Sequence, residues 1–359
     1  MLFKNNILGF IPEQDWLTVG FDVTRPNDPI DGLFGDERTD NLVAYWQSIA
    51  AEYQIPVMAQ FHGFDTEAQK TFRIPVDTKS IEKGLIKVKI NQSERLRELK
   101  HSGVQGDQAI YDYVMNDGLR LADQVVTRTK VAKNELMSTG KVTIKENDLD
   151  LTVDYGVPNA HLSLTLDFGA GAQSDIPTQL QTIVDNAANE GITITGIVLP
   201  RAVLTKLRGN LAIQKAINGA LGAEALVRRT ALDAYLSEEF GINTVITNDL
   251  TYATPNGFDS NGRPLVAQHR YFPYNKVSFF ATNPNGRIGT GLWGDPPELD
   301  AANAFGSVGA SAASPFVYVS QWAENDPAAL WTKASALFMP VLYNPQSLYV
   351  ASVTETPGG

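Results

Sequence analysis

The chain has 359 residues, 43% of them hydrophobic and 19% charged, enough apolar material for two domains or one large core. A net charge of −11 argues against a sequence-specific DNA or RNA reader, which would carry a basic face. The absence of cysteine excludes disulfides, thiolate nucleophiles, zinc–thiolate sites and iron–sulfur clusters.

The opening MLFKNNILGFIPEQDW carries Glu13 and Asp15 and no long apolar run, so it does not read as a signal peptide. No apolar run reaches about 18 residues, which predicts no membrane-spanning segment. Arg25 to Asp40 is dense in turn formers and acids. The following stretch, LVAYWQSIA, has helical spacing from Leu42 to Ile49.

Residues 51–105 read as extended. Val57, Ala59 and Phe61 alternate with polar neighbours, and Leu85, Lys87 and Lys89 alternate with Ile86, Val88 and Ile90. Few large apolar clusters lie between Asp65 and Lys83, so a two-stranded excursion here must lie on a neighbour to be stable.

Asp107 to Thr139 predicts one very long helix, with Asp107 as N-cap and Gly140 just past its end. Ile110, Val114, Leu121, Val125, Ala132 and Leu136 recur at intervals of four and seven. That eleven-residue repeat keeps one narrow apolar stripe along a nearly straight helix of roughly 50 Å. Such a helix is a strut, with its other faces left for neighbours.

Val142 and Ile144, then Leu149, Leu151, Val153 and Tyr155, predict a hairpin turning at 145–148. Ser174-Asp175-Ile176-Pro177 opens a second helix with Leu180, Ile183, Val184 and Ala187 on one face. From Ile192 the pattern alternates. ITITGIVLP, NTVITN and KVSFFAT read as strands, and PRAVLTKLRGN and ALVRRTALDAYLSEEFG as helices. Asn256-Gly257 and Asn261-Gly262 read as tight turns. From Phe316 to Val353 come β-like runs separated by Pro327, Pro340 and Pro345.

Nothing in this pattern argues for an enzyme, and no catalytic, cofactor-binding or metal-ligating residue stands out. His62, His101, His161 and His269 have no partners at metal-ligand spacing. GRIGTG, Gly286 to Gly291, is half a dinucleotide fingerprint, but Trp293, Pro296 and Pro297 forbid the helix that must follow, which leaves a glycine-rich surface loop. Gly169 to Gly171 precede the Pro177 helix by too many residues to cradle a phosphate. Neither a GxSxG elbow nor a P-loop occurs.

Charge is distributed unevenly. Lys70 to Lys100 carries a net +5, whereas residues 1–50 and residues 290–359 each carry −5. The basic run fits either a solvated face or a surface that docks on an acidic neighbouring subunit. In the second case Lys79, Lys83, Lys87, Lys89, Arg95 and Arg97 are the expected inter-subunit contacts.

The order of parts resembles the major capsid protein of tailed bacteriophages, and more narrowly the lambda capsid protein E family. The stretches that carry the resemblance are FRIPVDTKSIEKGLIKVKINQSERLREL, YVMNDGLRLADQVVTRTKVAKNELMSTGKVTI, LTVDYGVP and FMPVLYNPQSLYVASV. It extends from about Phe61 to Val353 and is weak between Thr251 and Ala313. The resemblance implies an α+β, Hong-Kong-97-type subunit without cofactors. Residues 1–50 would be the N-terminal arm and 51–105 the E-loop reaching over a neighbour. Residues 106–191 would form the peripheral domain with its spine helix at 107–139, 192–315 the axial domain, and 316–359 the return to the peripheral domain. Such a subunit assembles with itself into hexamers and pentamers of an icosahedral shell around double-stranded DNA, which it does not read. An acidic subunit would leave that DNA mobile. Further implied partners are a portal protein, a separate scaffolding protein, since the arm and E-loop fill everything before the spine, and a decoration protein. The implied place is the virion, assembled in the bacterial cytoplasm. No lysine–asparagine cross-link is expected. Two rival readings are an encapsulin-like compartment shell and an α/β enzyme with a nucleotide- or substrate-binding domain at 192–313.

Overall fold

In the computed structural model, residues 28–48, 58, 77–92, 106–146, 149–219, 225–259, 264–297, 309–314, 316–325 and 328–354 are described. The arm before residue 28, most of 49–76, the segment 93–105 with Arg95 and Arg97, and Asn261-Gly262 lie outside them. The architecture is mixed α and β, as expected.

The long helix, α1, runs from Gly106 to Thr139 over 34 residues. Its last residue hands over to Gly140 at φ 69°, where the Gly140 N–H bonds the Leu136 carbonyl. A side chain there would be strained and would press on Val157, so glycine closes the helix as expected. Leu121, Val125, Ala132 and Leu136 are buried on the predicted stripe. The stripe is not narrow, however. Thr129, Lys133, Asn134, Met137 and Ser138 are buried as well. The C-terminal half of α1 is enclosed within its own subunit because its polar residues find partners inside, a feature that apolar periodicity does not register.

On one side of α1 lies the larger sheet. It contains β1 (Phe34–Arg38), β4 (Gly84–Gln92), β13 (Gly289–Gly294), β14 (Gly309–Ser314), β15 (Val317–Asn325) and β16 (Ala328–Leu342). The fifteen-residue β16 is its trunk, paired antiparallel with β4, β13 and β15. Leu337 and Phe338 pair with both β4 and β13, which therefore lie on opposite edges. Alternation sends Val88, Ala334, Ala336 and Phe338 toward the core around α1. β1 joins β13 in parallel, Phe34 beside Gly289.

The second sheet has the order β7 (Leu164–Asp167), β17 (Leu348–Thr354), β12 (Lys276–Phe280), β8 (Gly196–Leu199) and β9 (Thr244–Thr247). Four helices supply its apolar cover: α3 (Ile176–Asn189), α4 (Arg201–Arg208), α5 (Leu211–Asn218) and α6 (Arg229–Phe240). The four-residue α2 (Asn159–Leu162) precedes β7. Asp175 caps α3, accepting from the Thr178 N–H. Both faces of this sheet are apolar. Ile197, Val277, Phe279, Tyr349 and Ala351 meet the helices, while Val198, Phe280, Leu348 and Val350 join the core around α1. The sheet also closes the end of α1: the Ser278 hydroxyl donates to the Met137 carbonyl at 2.6 Å and the Lys276 ammonium to the Ser138 carbonyl at 2.9 Å.

Three two-stranded sheets account for the remaining strands among the described residues. β5 (Lys141–Glu146) pairs with β6 (Leu149–Asp154) as expected. β10 (Thr251–Phe258) pairs with β11 (Pro264–Arg270), and β2 (Val43–Ser48) with β3 (Asp77–Glu82).

Several expectations are corrected. Leu42–Ser48 is not helical, and Ile49 lies outside the described residues. Val43 to Ser48 form a strand, because a run of Val, Tyr and Trp this short gains more from pairing with β3 than from an isolated helical turn. Ile192 to Thr195 are not strand, and α6 starts at Arg229 rather than Ala225. Asn256-Gly257 sits within β10 at a register shift rather than in a tight turn. Nor is Gly286–Gly291 wholly a surface loop. Gly289 and Gly291 lie in the buried strand β13, where a Cβ at 289 would strike the Val341 carbonyl and the Phe34 ring. α3 and β7 pack in the α/β core, β13 and β14 in the larger sheet, and β17 returns to the α/β sheet.

Candidate assembly surface

Of the six basic residues expected at a subunit contact, four are described, and they fall into two pairs. Lys79 and Lys83 make hydrogen bonds within the chain. The Lys79 ammonium donates to the Tyr155 carbonyl at 3.2 Å. Lys83, at the joint between β3 and β4, is 3% exposed. Its ammonium donates to the carbonyl and hydroxyl of Thr39 at 2.7 and 2.5 Å and to the Trp293 carbonyl at 3.0 Å. Burial lowers its pKa, against the pull of Asp295 and Asp40. Its three donors are used, so Lys83 pins the β3–β4 arm to the edge of the larger sheet and is not a surface contact. Lys87 and Lys89 are exposed on the outer side of β4. The Lys89 ammonium stands 4.3 Å from the centre of the Trp331 ring.

A polar clasp fixes the first described residues to both cores. Asp28 is buried and accepts from the Ile30 N–H at 3.0 Å, from Asn134 of α1 at 2.6 Å and from Asn248, just past β9, at 3.1 Å. The Asn248 amide also donates to the Asn134 oxygen at 2.8 Å. Burial raises the Asp28 pKa, opposed by its hydrogen bonds to Ile30 and Asn134. Next to Asn134 on α1, Lys133 bridges Asp31 at 3.1 Å and Asp36 at 3.0 Å, and Lys130, one turn earlier, reaches Asp31 at 3.3 Å. The Trp293 indole N–H donates to Asp36 at 2.9 Å. No sequence spacing announces this clasp, because its members lie up to 257 residues apart.

A third cluster lies in the α/β core. The His161 Nε2 is 2.8 Å from the Glu190 carboxylate, which also accepts from the Tyr349 hydroxyl at 2.9 Å. The His161 ring stacks on Tyr349 at 3.9 Å. Burial lowers the His161 pKa, with Glu190 pulling the other way. Tyr349 is pushed up by burial and by Glu190, so it remains a donor.

None of these clusters assembles a nucleophile, a base and an open reacting position. The open cleft between α1, β4 and the β10–β11 hairpin is lined by charges that already meet partners, Arg128 with Glu146 at 3.0 Å and Lys130 with Asp31. Among the described residues no group of three or more His, Asp or Glu side chains is placed to hold a metal ion. No helix among them is long and apolar enough to cross a membrane. The signal that sequence reasoning missed is on the outer sheet face, where Trp322, Trp331 and Lys333 stand beside Lys89. Pairing across strands, not spacing along one, brings them together.

Comparison with curated proteins finds no match. Among solved structures the chain is similar to the capsid of Myoviridae phage XM1, at 11% identity over 96% of this chain and 99% of that one, TM-score 0.46. It is also similar to the capsid subunit of cyanophage A-1(L), at 11% identity over 92% and 94%, TM-score 0.48. A phage-related protein from Bordetella bronchiseptica RB50 matches at 10% identity over 92% and 93%, TM-score 0.48. The sequence model of the family described as phage major capsid protein E matches residues 62–353. The chain therefore belongs to the phage major capsid protein E family, a family of structural shell subunits of the virion and not of enzymes.

Proposed function

We propose that this subunit closes, as hexamers and pentamers, an icosahedral shell around double-stranded DNA that it does not read. The family match over 62–353 carries this reading. α1 serves as the spine of the peripheral domain, the α/β core as the heart of the axial domain, and residues 51–105 as an E-loop whose base is β4. The net charge of −11 supports a lining that does not grip the packaged DNA. Portal and scaffolding proteins complete the assembly, and a decoration protein is a further partner on the outside.

Within the E-loop, Lys87, Lys89, Arg95 and Arg97 remain the basic contacts offered to a neighbouring subunit, with Lys79 and Lys83 anchoring its base. The test is electron microscopy of the purified protein and of particles from cells that also make the scaffolding protein. Closed shells built from rings of six and five copies support the reading, and a chain that stays monomeric at every concentration overturns it. Abundant closed shells from the chain alone would overturn the separate scaffold.

A further inference from the structure

The outer face of the larger sheet carries a feature that the core does not need. Cross-strand register places Lys333 of β16 directly beside Lys89 of β4, and Ser335 beside Lys87. On the other edge Trp331 pairs directly with Trp322 of β15. Residues 331, 333 and 335 alternate onto one side of β16, so these side chains share a face. The two indoles stack with ring centres 6.1 Å apart and planes 12° off parallel. Lys89 lies over Trp331, and the Lys333 ammonium stands 5.5 Å from the centre of the Trp322 ring. Glu324 is held against this group, accepting from the Trp331 indole N–H at 2.7 Å.

Two like charges directly opposite one another weaken a strand pair, and a third, Lys87, stands two residues along β4. The inward side of the same strands is filled by Ile86, Val88, Ile90, Ala334 and Ala336 around α1. The fold thus gains its packing from one side and concentrates cations on the other. Indole faces hold the ammonium groups in place by cation–π attraction. Flat aromatics beside fixed charges are what a docking face uses as anchors.

We infer that this face, Lys87, Lys89 and Lys333 over the Trp322–Trp331 pair, docks an acidic surface segment of a second copy of the same chain. Charge complementarity selects that occupant. The chain carries 40 acidic against 29 basic side chains, so a neighbouring copy presents mostly negative surface. The inference rests on the self-assembly proposed above, and it adds to the E-loop contacts a cation supplied by β16 and an aromatic platform.

Sedimentation velocity of the full-length protein over a concentration series tests it. Wild type should self-associate, and more weakly as NaCl rises from about 50 to about 500 mM. Lys89→Glu with Lys333→Glu should weaken association by about tenfold or more and flatten the salt dependence, whereas Lys89→Arg with Lys333→Arg should retain both. If the Glu pair melts early by circular dichroism, Lys89→Gln with Lys333→Gln is read in its place. Association of a folded charge variant within about twofold of wild type overturns the docking face alone. The same holds if that variant associates normally and loses only binding to a duplex DNA probe, which would assign the face to nucleic acid. A wild-type chain that never associates overturns self-assembly and the docking face together.

Discussion

The α/β core and the core around α1 meet at one sheet, yet they are closed by different means. In the α/β core Leu180, Ile183, Leu204, Leu207, Leu232 and Leu236 cover Ile197, Val277 and Phe279, and nearly all the work is apolar. The core around α1 gathers strands from positions 34 to 342 and then fastens its first strand with Asp28, Asp31, Asp36, Lys133 and Asn134. A hydrophobic face tolerates small slips, whereas a clasp of directed hydrogen bonds specifies one arrangement. Compact burial suits the first, and a joint that places the start of the chain against a long helix suits the second.

The largest expected effects probe the sheet that the two cores share. Phe279 faces the helices and Phe280 the core around α1, and both are fully buried. Phe279→Ala and Phe280→Ala should each cost about 3–5 kcal/mol in urea denaturation. A near-neutral Phe280→Ala would break the comparison, because the second face of the sheet would not then be a core face. Next comes the clasp. Lys133→Met keeps the length of the side chain and takes its charge from two carboxylates, leaving Asp31 to Lys130 and Asp36 to the Trp293 N–H. Because Asp31 and Asp36 are 25% and 37% exposed, the loss should be about 2 kcal/mol, below the range for a fully buried pair. A loss under about 0.5 kcal/mol would show that the clasp adds little beyond packing.

The same contrast explains what the sequence could disclose. The elements of the α/β core are local, and their caps and periodicities were legible: Asp175 before Pro177, and Leu180, Ile183 and Ala187 on one face. The length of α1 and its closure at Gly140 were legible for the same reason. Lys133 and Asn134 were not, since a polar residue buried by distant partners has the same local pattern as a solvated one. Lys83 was misread on that ground: a lysine in a basic run gives no sign that Thr39 and Trp293 will consume its donors. The tryptophan–lysine face depends on register between β4, β15 and β16, which alternation within any one strand leaves open.

A smaller effect tests the junction between the cores. Ser278→Ala removes the buried hydroxyl that donates to the Met137 carbonyl at the end of α1. The expected loss is about 1 kcal/mol, with Lys276 and its bond to Ser138 still in place. If Ser278→Ala is neutral while Phe280→Ala is costly, the two cores are joined by packing alone.

The smallest effect separates the cores by pH. His161 is 3% exposed, and burial holds its pKa below 6.5 in the folded chain. The fold therefore favours neutral imidazole. The stability this contributes is present above 6.5 and is lost as pH falls through the folded value. Asp28 runs the other way: with its pKa raised above 3.8, its contribution is full below 3.8 and is lost as pH rises through the folded value. Acidification from about pH 7.5 to about 5.5 should thus weaken the α/β core through His161. Glu190 at 2.8 Å offsets part of the burial and keeps the effect small. His161→Phe preserves a ring against Tyr349 and removes the titration, so its urea midpoint should change less over that interval than that of wild type. Parallel profiles for the two proteins would show that His161 is not the titrating group. Asp28→Asn should leave the profile above pH about 5.5 unchanged if the α/β core alone responds there. A changed slope in that variant would place part of the response in the clasp, and the two cores could no longer be told apart by acid.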